Sequence, residues 1–216
     1  MKIYTTAYPA QLPAEMLQML LKQLPESIST KVERYRRWQD GYGSLFGKLL
    51  LQKGLEAFGY PGELDDLRFS AYGRPYLPDG PQFSISHSGS RAICALSIHG
   101  RIGVDLEEIR DFPVDEFKNQ FSSREWSHIL TAPVPLDLFY HYWTAKESIV
   151  KADGRGLNIA LSSVEVTDKV VHLNNTNWSL HAIGSFPDYA CHIASEDGEC
   201  DMEIQELLPG ELLRKP

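Results

Sequence analysis

The sequence predicts an α+β protein made of two similar halves, and three observations carry that expectation. Stretches near 14–24, 44–58 and 137–153 repeat apolar residues at three- and four-residue steps, the period of a helix with one buried face. Short alternating or continuous apolar runs bounded by Gly, Pro and Ser follow them, the pattern of strands and turns. The chain also echoes itself. Leu45-Phe46 and Lys53 recur as Leu138-Phe139 and Lys146, and FSISHSGSRAICALS is loosely matched by WSLHAIGSFPDYACHIAS. The junction falls near Gly100 to Gly103, giving halves of 1–102 and 103–216. A cleft between such halves is a common place for a ligand.

In chain order, Lys2 to Ala7 suits a short strand. Pro13 opens a helix whose core stripe is Met16, Leu17, Leu20, Leu21 and Leu24, and Pro25 with the Ser-rich ESIST breaks it. KVERYRRWQDGYG is basic and aromatic: a solvated face by composition, or a docking surface for phosphate. Ser44 to Phe58 is a helix ended by Gly59 and Pro61. RFSAYGRPYLPDG gives two short extended pieces with Arg74 at the tip. Gln82 to His99 is a strand pair turning at Ser88-Gly89-Ser90, and Ile102 to Glu107 is a third strand. Val104 and Leu106 point to one side of it, Asp105 and Glu107 to the other. A Pro-interrupted loop and a short helix containing Glu125 lead to the helix over 137–153, which Gly154 and Gly156 end. LSSVEVT, KVVHL, WSLHAIG and YACHIAS read as strands, and the tail from Glu203 as a loosely held end.

Bulk properties narrow the function. The 216 residues suffice for a substantial core, and 43% hydrophobic with 23% charged residues argue against disorder. A net charge of −8 argues against non-specific nucleic-acid binding. Cys94, Cys191 and Cys200 form an odd set without ligand spacing and read as reduced thiols of a cytoplasmic protein, the first two as core residues. The N-terminus lacks the apolar core of a signal peptide, and no run is long enough to span a membrane.

Candidate chemistry rests on a few charged residues. In the 137–153 helix, Trp143, Glu147 and Lys151 are each four apart and share a face, with Lys146 beside them; taken alone this is a surface ion pair of small worth. Asp105 and Glu107 place two carboxylates on one strand face, where solvent or a hard divalent cation would relieve their repulsion. His87 ends a strand among small hydroxyl and glycine residues, a setting that suits an anion. Arg74 could grip a phosphate in two-pronged fashion. No P-loop, GxGxxG, GxSxG or catalytic-cysteine context is present. Cationic and acidic sets together are the parts of phosphoryl-group chemistry.

FSISHSGS, then IGVDLE, then WTAKESIVKADGRGL, in this order and spacing, resembles the 4′-phosphopantetheinyl transferases. The likeness is to the single-chain, surfactin-synthetase-activating type. Gly103, Asp105 and Glu107 match its GxDxE element; Trp143, Lys146, Glu147 and Lys151 match WxxKE…K; YGRPYLP and SHS match upstream motifs. The resemblance implies two α/β halves related by a pseudo-twofold axis, with coenzyme A in the cleft between them. It implies an N-terminal half (1–102) on the coenzyme A side and a C-terminal half (103–216) carrying metal and catalytic helix. Asp105, Glu107 and Glu147 would ligate Mg²⁺. A serine of an apo acyl or peptidyl carrier protein would attack the β-phosphate, and 3′,5′-ADP would leave. Glu147, or a metal-polarised water near it, would take the serine proton, and Lys151 would stabilise the pyrophosphate. Lys31, Arg74, Ser86 and His87 would hold phosphates, and Tyr72, Gly73, Arg74 and Pro75 would border the adenine. Glu125 matches a glutamate near the metal and Lys146. One position departs: Gly43 stands where many members carry a basic contact to the 3′-phosphate, which Arg34 or Arg37 could replace. The acceptor would belong to a fatty-acid, peptide or polyketide synthase, with Asp111 to Ser123 as docking surface, and the enzyme would be a cytoplasmic monomer. The alternative is a catalytically inactive binding module for coenzyme A or a carrier protein on the same scaffold.

Overall fold

A computed structural model describes residues 1–61, 63–167, 169–196, 198 and 201–213. In chain order they form β1 (Lys2–Ala7), α1 (Ala14–Leu21), α2 (Glu26–Glu33), α3 (Trp38–Ala57), β2 (Arg68–Phe69), β3 (Pro75–Tyr76), β4 (Gln82–Ser88), β5 (Arg91–Ser97) and β6 (Ile102–Glu108). Then follow α4 (Ser123–Thr131), α5 (Pro135–Asp153), β7 (Val170–Leu173), β8 (Thr176–Ala182), β9 (Tyr189–Ser195) and β10 (Glu203–Glu206). The chain divides into two compact units. Unit 1 is Met1–Arg68, Pro75–Ile98 and Asp201–Pro216; unit 2 is Phe69–Arg74 and His99–Cys200. The division differs from a single cut at 102/103 because the turn before β3 joins unit 2 and the C-terminus returns to unit 1.

Unit 1 is a four-stranded sheet, order β10-β1-β5-β4, with α3 packed on it. The tail is not loose. β10 pairs in parallel with β1, from Lys2↔Glu203 to Thr5↔Glu206, and Leu207 and Leu212 are buried. The strand ladder, the Arg91–Glu206 ion pair and the apolar anchors Leu207 and Leu212 together hold it. α3 begins six residues before the helix expected from Ser44, running through Gly41 and Gly43. Glycine disfavours a helix interior by about 1 kcal/mol each. Here packing outweighs that penalty, because side chains of the sheet fill the grooves glycine leaves. A Cβ on Gly47 would lie 2.6 Å from Ile85 Cγ2, and one on Gly54 would lie 2.3 Å from Leu96 Cδ1. Leu45, Phe46, Leu49, Leu50 and Leu55 are buried, with Phe46 stacked on Tyr8 at 4.6 Å. The ESIST segment, expected to break the first helix, starts a second one, with Pro25 at its N-cap. Cys94 is a buried free thiol of this core.

Unit 2 repeats the scheme: an antiparallel sheet, order β6-β9-β8-β7, with α5 lying on β6 and β9. Ala145, Ile149 and Ala152, on the apolar three- and four-residue repeat of α5, are buried in its core with Val164, Trp178 and Ala194. Leu138 and Tyr142 are partly buried against an aromatic cluster, where Phe139 stacks on Trp143 at 5.9 Å. The residues 111–123, expected as a loop, carry a 3-10 turn over Val114–Gln120, pinned by Phe112 and Phe117 against Phe139. LSSVEVT is not a strand; residues 161–163 form a 3-10 turn and the rest is irregular. Cys191 is buried and free, and Cys200 lies outside the described residues. Among the described residues no helix is long and apolar enough to cross a membrane.

The echo noticed in the sequence corresponds to a real likeness of parts. In each unit a helix of about twenty residues (α3, 20; α5, 19) packs on a sheet containing the echoed hairpin, β4–β5 or β8–β9. Because Leu96 is fully buried, it has nowhere to retreat from an added side chain at position 54. Gly54→Val is expected to lower unfolding free energy by about 1–3 kcal/mol, the usual range for overpacking, as read from urea denaturation.

Candidate active site

The site is built where α5 crosses β6. The alternation read for β6 holds: Gly103, Asp105 and Glu107 share one face of the strand, and Gly103 shows which face that is. A Cβ there would sit 2.0 Å from the Ser148 carbonyl oxygen and 2.4 Å from the Ala152 nitrogen, both backbone atoms of α5. The helix therefore lies directly on the strand, and only glycine permits it. Asp105 and Glu107 consequently face the helix that carries Glu147 and Lys151.

Lys151 Nζ donates to Asp105 Oδ1 at 2.6 Å; the Asp105 side chain is 4% exposed and that of Lys151 32%. The Glu147 carboxyl is held above its ordinary range, first by burial and then by the Asp105 charge, against the opposing pull of Lys151. Two carboxylates and an ammonium thus form one electrostatic group. Among the described residues, no three His, Cys, Asp or Glu side chains are arranged to hold a metal ion. The donor chemistry nonetheless fits a hard cation: all donors are carboxylate oxygens, and the Asp105 charge already helps hold the Glu147 carboxyl above its ordinary range.

The neighbouring Lys146, grouped by spacing with the polar face, is placed otherwise. It is fully buried, 2.7 Å from Glu125 Oε2, and also donates to the carbonyls of Leu161 (3.0 Å) and Val164 (2.5 Å). Glu125 accepts from the amides of Ser122 (2.8 Å) and Val166 (2.9 Å). Glu125, expected beside Lys146, is its partner; as the third residue of α4 it forms a capping box with the N-cap Ser122 and ties that helix start to α5 and to residues 161–166. That network also explains why LSSVEVT leaves the sheet: its backbone groups bond to the buried ion pair. Burial pulls Lys146 below the usual lysine range, with Glu125 opposing.

Beside the carboxylates, β9 contributes a residue that spacing did not reveal. His192 is the cross-strand partner of Asp105. Thr144 Oγ1 donates to the Tyr140 carbonyl at 2.8 Å, so His192 Nδ1 is the donor in its 2.7 Å bond to Thr144. Burial, with His141 nearby, pushes the imidazole down to about 3. It is a neutral packing group at the edge of the site.

The other expected ligand contacts fall on two separate elements. Arg74 Nη1 donates to the Ala152 carbonyl at 2.8 Å and Nη2 to the Ile102 carbonyl at 3.3 Å, so its guanidinium caps the end of α5. Tyr72 is exposed, Gly73 has a left-handed backbone (φ 80), and Ser70 Oγ accepts from the Tyr72 and Arg74 amides. A cavity of about 480 Å³ opens here, lined by Tyr72, Arg74, Arg101, Asp153 and Arg155 among others, and none of the three candidate metal carboxylates lines it. In unit 1, Ser86 is buried on β4 and His87 is exposed next to it. A Cβ on Gly43 would be 2.3 Å from His87 Cγ, so the glycine at that position is what lets the imidazole lie against α3. Lys31, Arg34 and Arg37 are exposed.

Two measurements follow. Lys146→Met leaves Glu125 buried and uncompensated, so stability should fall by about 3–5 kcal/mol in urea denaturation, with partial recovery when Glu125→Gln is added. For His192, the unfolded chain protonates at the ordinary value of 6.5 and the folded chain near 3. Between these the unfolded state binds more protons, so stability falls as pH drops below that ordinary value, by up to about 1.4 kcal/mol per pH unit. His192→Gln should show a shallower loss between neutral and mildly acidic pH in the same assay.

Comparison with known proteins places this geometry. A family model described as the 4′-phosphopantetheinyl transferase superfamily matches residues 101–194, which include β6, α5 and β9 up to Ala194. The chain is 33% identical to 4′-phosphopantetheinyl transferase Sfp of Bacillus subtilis (strain 168) over 172 residues, 77% of this chain and 76% of that protein. It is 28% identical to 4′-phosphopantetheinyl transferase gsp of Aneurinibacillus migulanus over 205 residues, 83% of this chain and 86% of that one. The corresponding figures for 4′-phosphopantetheinyl transferase HetI of Nostoc sp. are 29% over 182 residues, 76% and 73%. With α5 lying on Gly103, Lys151 paired to Asp105, and a third of the residues shared with a relative over three quarters of both chains, the chain belongs to the 4′-phosphopantetheinyl transferase superfamily.

Proposed function

We propose that this protein transfers the 4′-phosphopantetheine moiety of coenzyme A to a serine of an apo acyl or peptidyl carrier protein, releasing 3′,5′-ADP. The observation that carries the site assignment is the grouping of Asp105, Glu147 and Lys151 where α5 lies on Gly103. In the reaction the serine Oγ forms a bond to the β-phosphorus. The bond from that phosphorus to the bridging oxygen breaks, and the electron pair leaves on 3′,5′-ADP.

Glu147, or a metal-polarised water near it, would take the serine proton. Lys151 meets the charge developing on the departing phosphate and can protonate it. Asp105, Glu107 and Glu147 would hold Mg²⁺, which supplies neutralisation of the pyrophosphate charge. Asp105, already buried, is the fixed member of that set. Lys31, Ser86 and His87 contact phosphates of coenzyme A, and Tyr72, Gly73, Arg74 and Pro75 border the adenine. Arg74 supports this indirectly, by fixing the turn to the end of α5 rather than by aiming all its donors at ligand. The buried free thiols Cys94 and Cys191 support a reducing, cytoplasmic setting.

The test is to incubate the purified protein with coenzyme A, Mg²⁺ and an apo carrier domain and to weigh the carrier. A phosphopantetheine adduct is expected. Asp105→Ala should retain the far-ultraviolet circular dichroism of the parent and lose transfer, and chelation with EDTA should do the same to the parent. Absence of adduct on several carriers would sink the transferase reading; full activity in EDTA would sink the metal assignment.

A further inference from the structure

Two lysines of α5, Lys146 and Lys151, hold carboxylates in different ways. Lys146 is sealed: neither it nor Glu125 is reachable by solvent, and two backbone carbonyls share its ammonium. Lys151 is open: about a third of its side chain is exposed, while the Asp105 it neutralises is buried. A buried carboxylate requires a counter-charge. A lysine is a compact charge on a flexible stem and can swing away without moving the helix. The backbone beneath cannot follow, because Ala152, the next residue, is pressed against Gly103. By neutralising the buried Asp105 the ammonium gives the service that the metal reading assigns to a divalent cation.

Resting on that reading, we propose that Lys151 is an exchangeable counter-ion: its ammonium holds Asp105 until a divalent cation binds, and that binding releases Lys151 to the phosphates of the substrate. The two cations compete for one Asp105 oxygen, so metal affinity is set in part by a side chain of the protein. The exchange gives the reaction an order. Lys151 becomes available to the departing phosphate only when the carboxylates have acquired another cation, and a substrate bound without metal meets a lysine still engaged with Asp105.

The test uses the full chain, stripped with EDTA and without coenzyme A, titrated with Mn²⁺ and followed by electron paramagnetic resonance, with thermal unfolding in parallel. Lys151→Met should bind Mn²⁺ about tenfold more tightly than the parent, within the usual range of coupling between two binding events. It should also melt lower than the parent without metal and recover on adding Mg²⁺. Lys151→Arg keeps the charge but can grip Asp105 with two donors, so it should bind Mn²⁺ more weakly than the parent. Asp105→Asn should lose the tight site. Equal affinity in the parent and Lys151→Met overturns the proposal. Equal affinity in the parent and Lys151→Arg also overturns it, reducing the effect to charge acting through space. No tight Mn²⁺ binding in any of the proteins would overturn the metal reading as well, and is distinguishable on that ground.

Discussion

One contact, the α5 backbone lying on Gly103 of β6, sets the position of everything that unit 2 brings to chemistry. A strand side chain of ordinary size would hold a helix away from the strand, but here the Ser148 carbonyl occupies the space a Cβ would need. The approach lets Lys151 reach Asp105 and lets Glu147 feel its charge. Unit 1 uses the same device with the roles exchanged. There the glycines are on the helix, at 43, 47 and 54, and the sheet supplies His87, Ile85 and Leu96 to fill the groove. Close helix-on-sheet packing is thus common to both units, and in unit 2 it is turned to placing charge.

Holding α5 in that position requires more than one glycine. The Lys146–Glu125 pair joins α5, the start of α4 and residues 161–166 in a fully bonded buried network. Such pairs are not strong sources of stability compared with apolar packing, but breaking one side is severe, so they specify a single arrangement. The aromatic cluster of Phe112, Phe117, Phe121, Phe139 and Trp143 packs the N-terminal turns of the same helix. Trp143 is therefore a wall that fixes α5 one turn before Glu147.

The sequence made the element types, the alternation on β6 and the two-part organisation legible, since these follow from period and from glycine and proline placement. It also made the family legible, through motifs whose spacing reflects the α5–β6 contact. What stayed hidden was decided by long-range packing. The helix expected from Ser44 starts earlier, at Trp38, and α3 runs through Gly43 because His87 of the sheet fills the gap there. The tail read as loose because Glu203 to Glu206 is polar, although Leu207 and Leu212 anchor it. Lys146 shares a helical face with Glu147 by count, and its partner Glu125 was legible only through the family resemblance; the Ser122–Glu125 capping-box pattern ties that glutamate to a helix start. The roles of Thr144 and His192 had no sequence signature, since they depend on the β6–β9 register.

Closeness between α5 and Gly103 governs the reaction itself and not only the fold. The direct measurement is the rate at which a Gly103→Ala protein loads phosphopantetheine onto an apo carrier, followed by mass. One added methyl group must displace backbone, not a flexible side chain, and a misplacement of about 1 Å can cost roughly 100-fold in rate. A fall of that order, with unit 1 still folded by amide hydrogen exchange, is the predicted result. Transfer at the parent rate would contradict the claim that this contact builds the site.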